Sequence, residues 1–349
     1  MSNIMGIQNY KIDGALLYKL VNIYKLIGTN NFISESFAAK DSYIQKECIE
    51  KSCILLNNMF NFCSAIDRSR LVITKDSKPK NYQEQSLYNL KQVLIDIFNK
   101  AKEPQSILNP MDFVDYLKKI YGKQIKISTN EYSINNPNKK SVRYLFIKLC
   151  DEYNEVIQKK NYESLIISFV FLMELYNLKP FEEQNELAFI LIFYYLMLKC
   201  EIAPYKYLSL VEIYKDNKEQ LLDLINNGSV NYDTGVLYFN DFVEYNLKLI
   251  EQNYKKLNKI LAEIKQENRA FKHDNISKTI MELLPNIFTK EEVKKYHPDA
   301  SDSTIVRALN ALKDKKYITP LGTGRSAKWQ KLIDINDPRY LFGDNYDQD

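Results

Sequence analysis

Apolar residues recur at intervals of three and four along most of this 349-residue chain, the spacing that gathers them on one face of an α-helix. Leu16, Leu17, Leu20, Val21 and Tyr24 form one such set, and Ile49, Cys53, Leu56 and Phe60 another, so residues 8–120 are expected to be a helical region. Polar, proline-containing stretches at 77–80 and 102–104 serve as its loops. The period changes at 123–133, KQIKISTNEYS, where apolar and polar residues alternate. A turn, Asn-Asn-Pro-Asn, follows at 135–138, and together they predict a short β-hairpin before a helix that starts near Ser141. Residues 162–178 form an apolar helix, and residues 186–199 are apolar on every face, which marks a buried central helix. Farther on, Val243, Leu247, Ile250, Tyr254, Leu257, Leu261 and Ile264 alternate spacings of four and three. Such a stripe suits an intermolecular coiled coil, and hence a homodimer, or docking on the chain's own core; docking is the expected use.

The carboxy-terminal pattern is more punctuated. Ile276, Ile280, Leu283 and Leu284 space a first helix, and the Thr289-x-x-Glu292 spacing is a capping box opening a short second one. His297-Pro-Asp-Ala breaks that helix, Ser301 is the candidate cap of a third, and Ile305, Ala308, Leu309 and Leu312 turn its apolar stripe inward. Its outer face then carries Ser303, Thr304, Arg307, Asn310 and Lys313. Residues 317–321, the Gly322-Thr-Gly324 turn and residues 325–329 predict two strands. This arrangement resembles a winged helix-turn-helix. The resemblance implies a third helix that enters a major groove of double-stranded DNA, with Arg325 and Lys328 on the wing against phosphates or a minor groove. The plainer reading is a protein-contact module whose lysines are a solvated face.

Charge changes this picture in one place. Net charge is only +4, yet residues 301–331 hold seven Lys or Arg against two Asp or Glu, so the basic end of the chain coincides with the predicted third helix and strands. Beyond Lys331 the sequence turns acidic, with Asp334, Asp337, Asp344, Asp347 and Asp349 against Arg339, a frayed tail or a competitor for the basic wing. Five cysteines without metal spacing read as reduced packing thiols. The longest apolar run, 188–198, is too short to span a bilayer, and no apolar run follows a basic amino terminus, so a cytoplasmic protein without a membrane partner is expected.

Candidate chemistry is sparse. Two histidines, His273 and His297, are too few for histidine-based metal or nucleophile schemes, and no phosphate-cradling Walker loop is present. The informative stretch is 178–190, LKPFEEQNELAFI. It resembles the catalytic loop of the Fic family, which reads His, any, Phe, any, Asp or Glu, Gly, Asn, Gly, Arg, two of any, Arg. Pro180, Phe181, Glu183 and Asn185 match, whereas Lys179 stands where the His belongs, Gln184 and Glu186 replace glycines, and Leu187 and Ile190 replace arginines. The similarity extends over residues 110–260, with 123–133 at the place of the family's β-hairpin flap and 207–210, 215–222 and 239–243 at its later segments. In that family the histidine is the general base and the arginines and glycine amides hold nucleotide phosphates at a helix amino terminus. Here that end carries Glu182, Glu183 and Glu186, which favour the helix dipole and repel a polyphosphate. A lysine is protonated at neutral pH unless burial lowers its pKa by several units, so Lys179 is a poor replacement base. The Ser/Thr-x-x-x-Glu-Gly/Asn motif of the family's inhibitory helix is also missing.

The expected fold is mainly α: an amino-terminal helical region (1–110), a Fic-like helical core with a short β-hairpin flap (111–268, motif 179–190), a winged helix-turn-helix (269–332) and an acidic tail (333–349). The expected function is that of a pseudoenzyme without a cofactor, a DNA-binding transcription regulator whose core offers a surface to a second copy or to a partner protein. Two other readings remain open: a nucleotidyltransferase of the AMP-transferring type with a rebuilt site near Asn185, and an interaction module or inhibitor that binds no DNA.

Overall fold

A computed structural model describes residues 14–35, 38–131, 140–298, 300–322 and 327–333. The chain divides into two compact units, Met1–Leu257 and Asn258–Asp349.

The first unit is built around two helices that are apolar all round. Helix α7 (Ser164–Leu178) and helix α8 (Asn185–Lys199) bury nearly every residue, as expected of elements enclosed on all sides. Before them come α1 (Gly14–Glu35), α2 (Ala38–Phe60), α3 (Ile66–Thr74), α4 (Tyr82–Lys102), α5 (Pro110–Tyr121) and α6 (Val142–Lys159). Helix α4 packs on α2, α3, α5 and α8, and α6 packs on α7. The boundaries follow local chemistry. Asn109 caps α5 ahead of Pro110, whose missing N–H costs nothing in a first turn, and Gly122 ends the helix in the left-handed region at φ 61°. Ser141 caps α6 by accepting from Tyr144 N at 3.2 Å.

After α8 come the short α9 (Pro204–Tyr207), α10 (Leu210–Gly228) and the long α11 (Asn240–Glu282). In the first unit, α11 buries Val243, Leu247, Ile250, Tyr254 and Leu257, so the alternating stripe docks within the unit. Tyr254 Oη accepts from Ala203 N at 3.2 Å, tying α11 to the start of α9. The side chain of Ile264 lies outside the described residues.

The predicted hairpin region is more tightly engaged than its alternation implies. Ile127 bridges Phe181 in antiparallel fashion, with Ser128 N donating to Pro180 O at 2.8 Å and Glu182 N to Lys126 O at 3.1 Å. On the far side Glu131 bridges Ser141, and the intervening turn at 135–138 lies outside the described residues. The flap segment is thus paired with the motif loop.

In the second unit the end of α11 is followed by β1 (Ile287–Thr289), α12 (Lys290–Tyr296), α13 (Asp302–Asp314), β2 (Ile318–Pro320) and β3 (Lys328–Lys331). The three strands form one antiparallel sheet in the order β1-β3-β2, with Phe288 opposite Trp329 and Thr319 opposite Gln330. The sequence pattern predicts only two of these strands; β1 is three residues long with one inward side chain, Phe288, too short for alternation to register. Its core joins Ile276, Ile280, Met281, Leu284, Phe288, Ile305 and Leu309, with Trp329 packed against it. Met281 takes the inward place expected of Leu283, which is 61% exposed. Lys331 Nζ donates to the carbonyls of Met281 at 2.8 Å and Leu284 at 2.5 Å, satisfying the end of α11.

Candidate functional site

The motif loop joins α7 to α8, and two residues in left-handed conformation shape it. Lys179 at φ 45° ends α7, its N–H donating to Leu175 O at 3.1 Å, and Gln184 at φ 65° precedes α8. Asn185 holds the loop between them: its Oδ1 accepts from Phe181 N at 2.9 Å and its Nδ2 donates to Phe181 O at 2.7 Å. Phe181 is buried and meets Phe146 edge to face at 5.6 Å. Phe181 and Asn185, two residues that carried the resemblance, therefore close the loop structurally.

Two of the three carboxylates at this helix start are compensated. Glu183 pairs with Lys123 at 2.8 Å, and Glu186 pairs with Lys218 of α10 at 2.6 Å while accepting from Tyr214 Oη at 3.3 Å. Burial, and then the charge of Glu186, push the Tyr214 hydroxyl far above its ordinary range. Tyr121 Oη donates to Gln184 Oε1 at 2.7 Å, and burial raises its pKa as well. The loop is consequently less acidic than its sequence suggests: the lysines that neutralise it come from residues 60 positions before Glu183 and 32 after Glu186, beyond any local spacing.

Lys179 is exposed, and its Nζ sits 6.0 Å from the centre of the Tyr176 ring. Leu187 and Ile190, at the places of the family's arginines, are buried in the core. A cavity of about 240 Å³ opens between the end of α7, the start of α8 and α10, lined by Tyr176, Lys179, Pro180, Phe181, Asn185, Glu186, Phe189, Tyr214, Lys218 and Leu222 among others. Tyr214, Lys218 and Leu222 are not among the candidate site residues of the sequence, where the last two belong only to the segment 215–222, although their spacing of four puts all three on one helical face.

In the second unit, Thr289 and Glu292 form the full capping box, and Ser301 caps α13 by accepting from Thr304 N at 3.2 Å. The Ser301 hydroxyl also lies 2.8 Å from those of Ser303 and Thr304. Ser303, Arg307, Asn310 and Lys313 are exposed along α13, and Thr304 is half-buried. Asp302 pairs with Lys290 at 2.7 Å, and that hydrogen bond and charge hold its carboxyl below the usual range. Lys328 is exposed at the start of β3, whereas Arg325 lies outside the described residues. Among the described residues, no cluster of His, Cys, Asp and Glu is arranged to hold a metal, and no helix is long and apolar enough to cross a membrane.

No protein-family model matches the sequence, and no curated protein matches it. Solved structures do. A Fic family protein from Desulfovibrio desulfuricans G20 superposes with a TM-score of 0.51 at 13% identity, over 92% of this chain and 97% of that one. A Fic domain containing signaling protein from Bacteroides thetaiotaomicron VPI-5482 gives a TM-score of 0.50 at 13% identity, over 68% of this chain and 94% of that one. With the flap paired to a loop between two buried helices, these superpositions give the chain a Fic-like, mainly α fold.

Proposed function

We propose that this chain is a catalytically inactive Fic-like protein that regulates transcription in the cytoplasm by binding duplex DNA through a carboxy-terminal winged helix-turn-helix. The proposed layout is an amino-terminal helical region (1–110), a Fic-like core (111–268), the DNA-binding module (269–332) and an acidic tail (333–349). The order helix, strand, helix, helix, strand, strand from α11 to β3, with the sheet order β1-β3-β2, supports the winged reading.

The observation that carries the proposal is the outward face of α13. Arg307, Asn310 and Lys313 stand exposed, one turn apart, on a helix whose opposite face is anchored by Ile305, Ala308, Leu309 and Leu312. Asp302, the carboxylate at the start of that helix, is already matched by Lys290. Such a helix presents hydrogen-bonding groups to base edges, and the exposed Lys328 meets backbone phosphate. Inactivity is supported by the other unit. An exposed Lys179 stands at the place of the family's histidine, and the places of the phosphate-holding arginines are taken by buried aliphatic side chains.

Mobility shifts against genomic fragments test this directly. Arg307→Ala should relax sequence preference, and Lys328→Ala should weaken all duplexes alike and flatten the dependence of log affinity on log salt by about one unit. A shift indifferent to both substitutions, or no shift, would remove the interface. Incubation with labelled ATP covers catalysis: a nucleotide adduct on the chain or a partner, lost in Asn185→Ala, would replace this reading with a rebuilt transferase. Salt-independent capture of a protein partner, without DNA binding, would favour an interaction module instead.

A further inference from the structure

The cavity beside the motif loop has a size, a lining and a charge that together select a ligand. Its volume, about 240 Å³, falls below the roughly 300–1,000 Å³ of sites that enclose drug-sized molecules, and so suits one or two fused rings. The lining is aromatic: Tyr176 meets Phe189 edge to face at 6.1 Å, and Phe189 meets Tyr214 at 6.0 Å, leaving ring faces and edges for a flat guest. Two lysines and one glutamate line it, and Glu186 is matched by Lys218. Lys179 meets no carboxylate among the described residues; its one neighbour of note is the Tyr176 ring. One positive charge at the rim of an apolar, ring-lined cavity is therefore left for an incoming group.

We propose that this cavity binds a small aromatic carboxylate, a monoanion whose ring lies among Tyr176, Phe189 and Tyr214 and whose carboxylate meets Lys179. A nucleoside polyphosphate suits this lining less well: its several negative charges would face one lysine, with Leu187 and Ile190 turned into the core. The Glu186–Lys218 pair acts as a wall of the site: it removes a carboxylate that would repel the guest and leaves Lys179 as the anchor. The inference stands independently of DNA binding, since every group it uses belongs to the first unit.

Calorimetric titration of the full chain with 2-naphthoate, its neutral isostere 2-naphthamide and ATP tests it. We expect 2-naphthoate to bind at one site per chain. Lys179→Gln should weaken it about fivefold, the size of a partly exposed ion pair, while leaving 2-naphthamide unchanged. Leu222→Trp, which fills the cavity from α10, should abolish both. Thermal unfolding of each variant confirms that it is folded. Absence of 2-naphthoate binding, binding indifferent to Leu222→Trp, equal loss of acid and amide in Lys179→Gln, or one-to-one ATP binding displaced by 2-naphthoate would each overturn the proposal.

Discussion

Asn185 shows how one side chain serves a loop. Its amide gives and takes one hydrogen bond each with the backbone of Phe181, closing a five-residue turn whose other side is already paired with the flap. A net of about 1 kcal/mol per bond makes Asn185→Ala about 1–2 kcal/mol less stable in urea unfolding, and Asn185→Asp, which turns a carboxylate oxygen toward the Phe181 carbonyl in place of the N–H, should lose at least as much. Glu84 is a second case, and pH reads it. Only 3% exposed, it accepts from Arg68 Nε at 3.1 Å and Nη2 at 2.6 Å and from Lys80 N at 2.9 Å. The Arg68 hydrogen bonds first, then the Lys80 N–H, overcome desolvation and hold its carboxyl down at about 2. A depressed folded-state pKa means that the stabilisation is complete above about pH 5 and disappears as pH falls through about 2. The stability gap between the native chain and Glu84→Gln should thus be constant from pH 6 to 8 and shrink steadily from pH 5 to 2.5. A gap that does not change with pH would mean that the ionised pair contributes nothing.

Elements were legible in the sequence where the chemistry is local. The Thr289–Glu292 capping box and the Ser301 cap are spacings of three, the all-apolar α8 could only be a buried helix, and the stripe from Val243 to Leu257 found its core. What stayed hidden needs partners distant in the chain. Lys123 and Lys218 reach the loop carboxylates only after folding, the cavity needs α7, α8 and α10 together, and β1 exists because β3 pairs with it. Helix α4 carries another such feature. Lys91, 3% exposed between the buried Leu87 and Leu94, donates to Asp76 at 2.6 Å and Ile73 O at 2.6 Å and lies 3.6 Å from Glu50, joining α2, α3 and α4. A Glu50 oxygen is buried without a hydrogen bond and lies 3.7 Å from Lys46 as well, so removing the Lys91 ammonium takes away one of its two cations. Breaking a fully buried pair from one side typically costs about 3–5 kcal/mol; with Asp76 exposed and Lys46 still beside Glu50, Lys91→Met should cost less, about 1–3 kcal/mol. Adding Glu50→Gln should recover a good part of the loss; failure to recover would show that the lysine acts through packing alone.

At the scale of the molecule, charge and apolar surface decide how many copies meet one duplex. The stripe on α11 that suits a coiled coil is spent inside the first unit from Val243 to Leu257, so those five residues do not hold a second copy. Counterion release makes the number of copies measurable. Each phosphate neutralised contributes about −0.9 to the slope of log affinity against log salt. Arg325 and Lys328 on the proposed wing, with Lys313 at the far end of α13, are the cations left for phosphate once Arg307 reads a base, so one copy should give a slope of about −3 and two copies on a symmetric operator about −5 to −6. Sedimentation of the free chain separates the routes to the steeper value. A monomer in solution with a slope near −6 and cooperative binding would mean that the operator pairs the subunits, while a dimer before DNA is added would place the interface on a surface other than the buried residues Val243 to Leu257. A slope near zero would leave the exposed face of α13 without a polyanion to meet, and the DNA-binding proposal would fail with it.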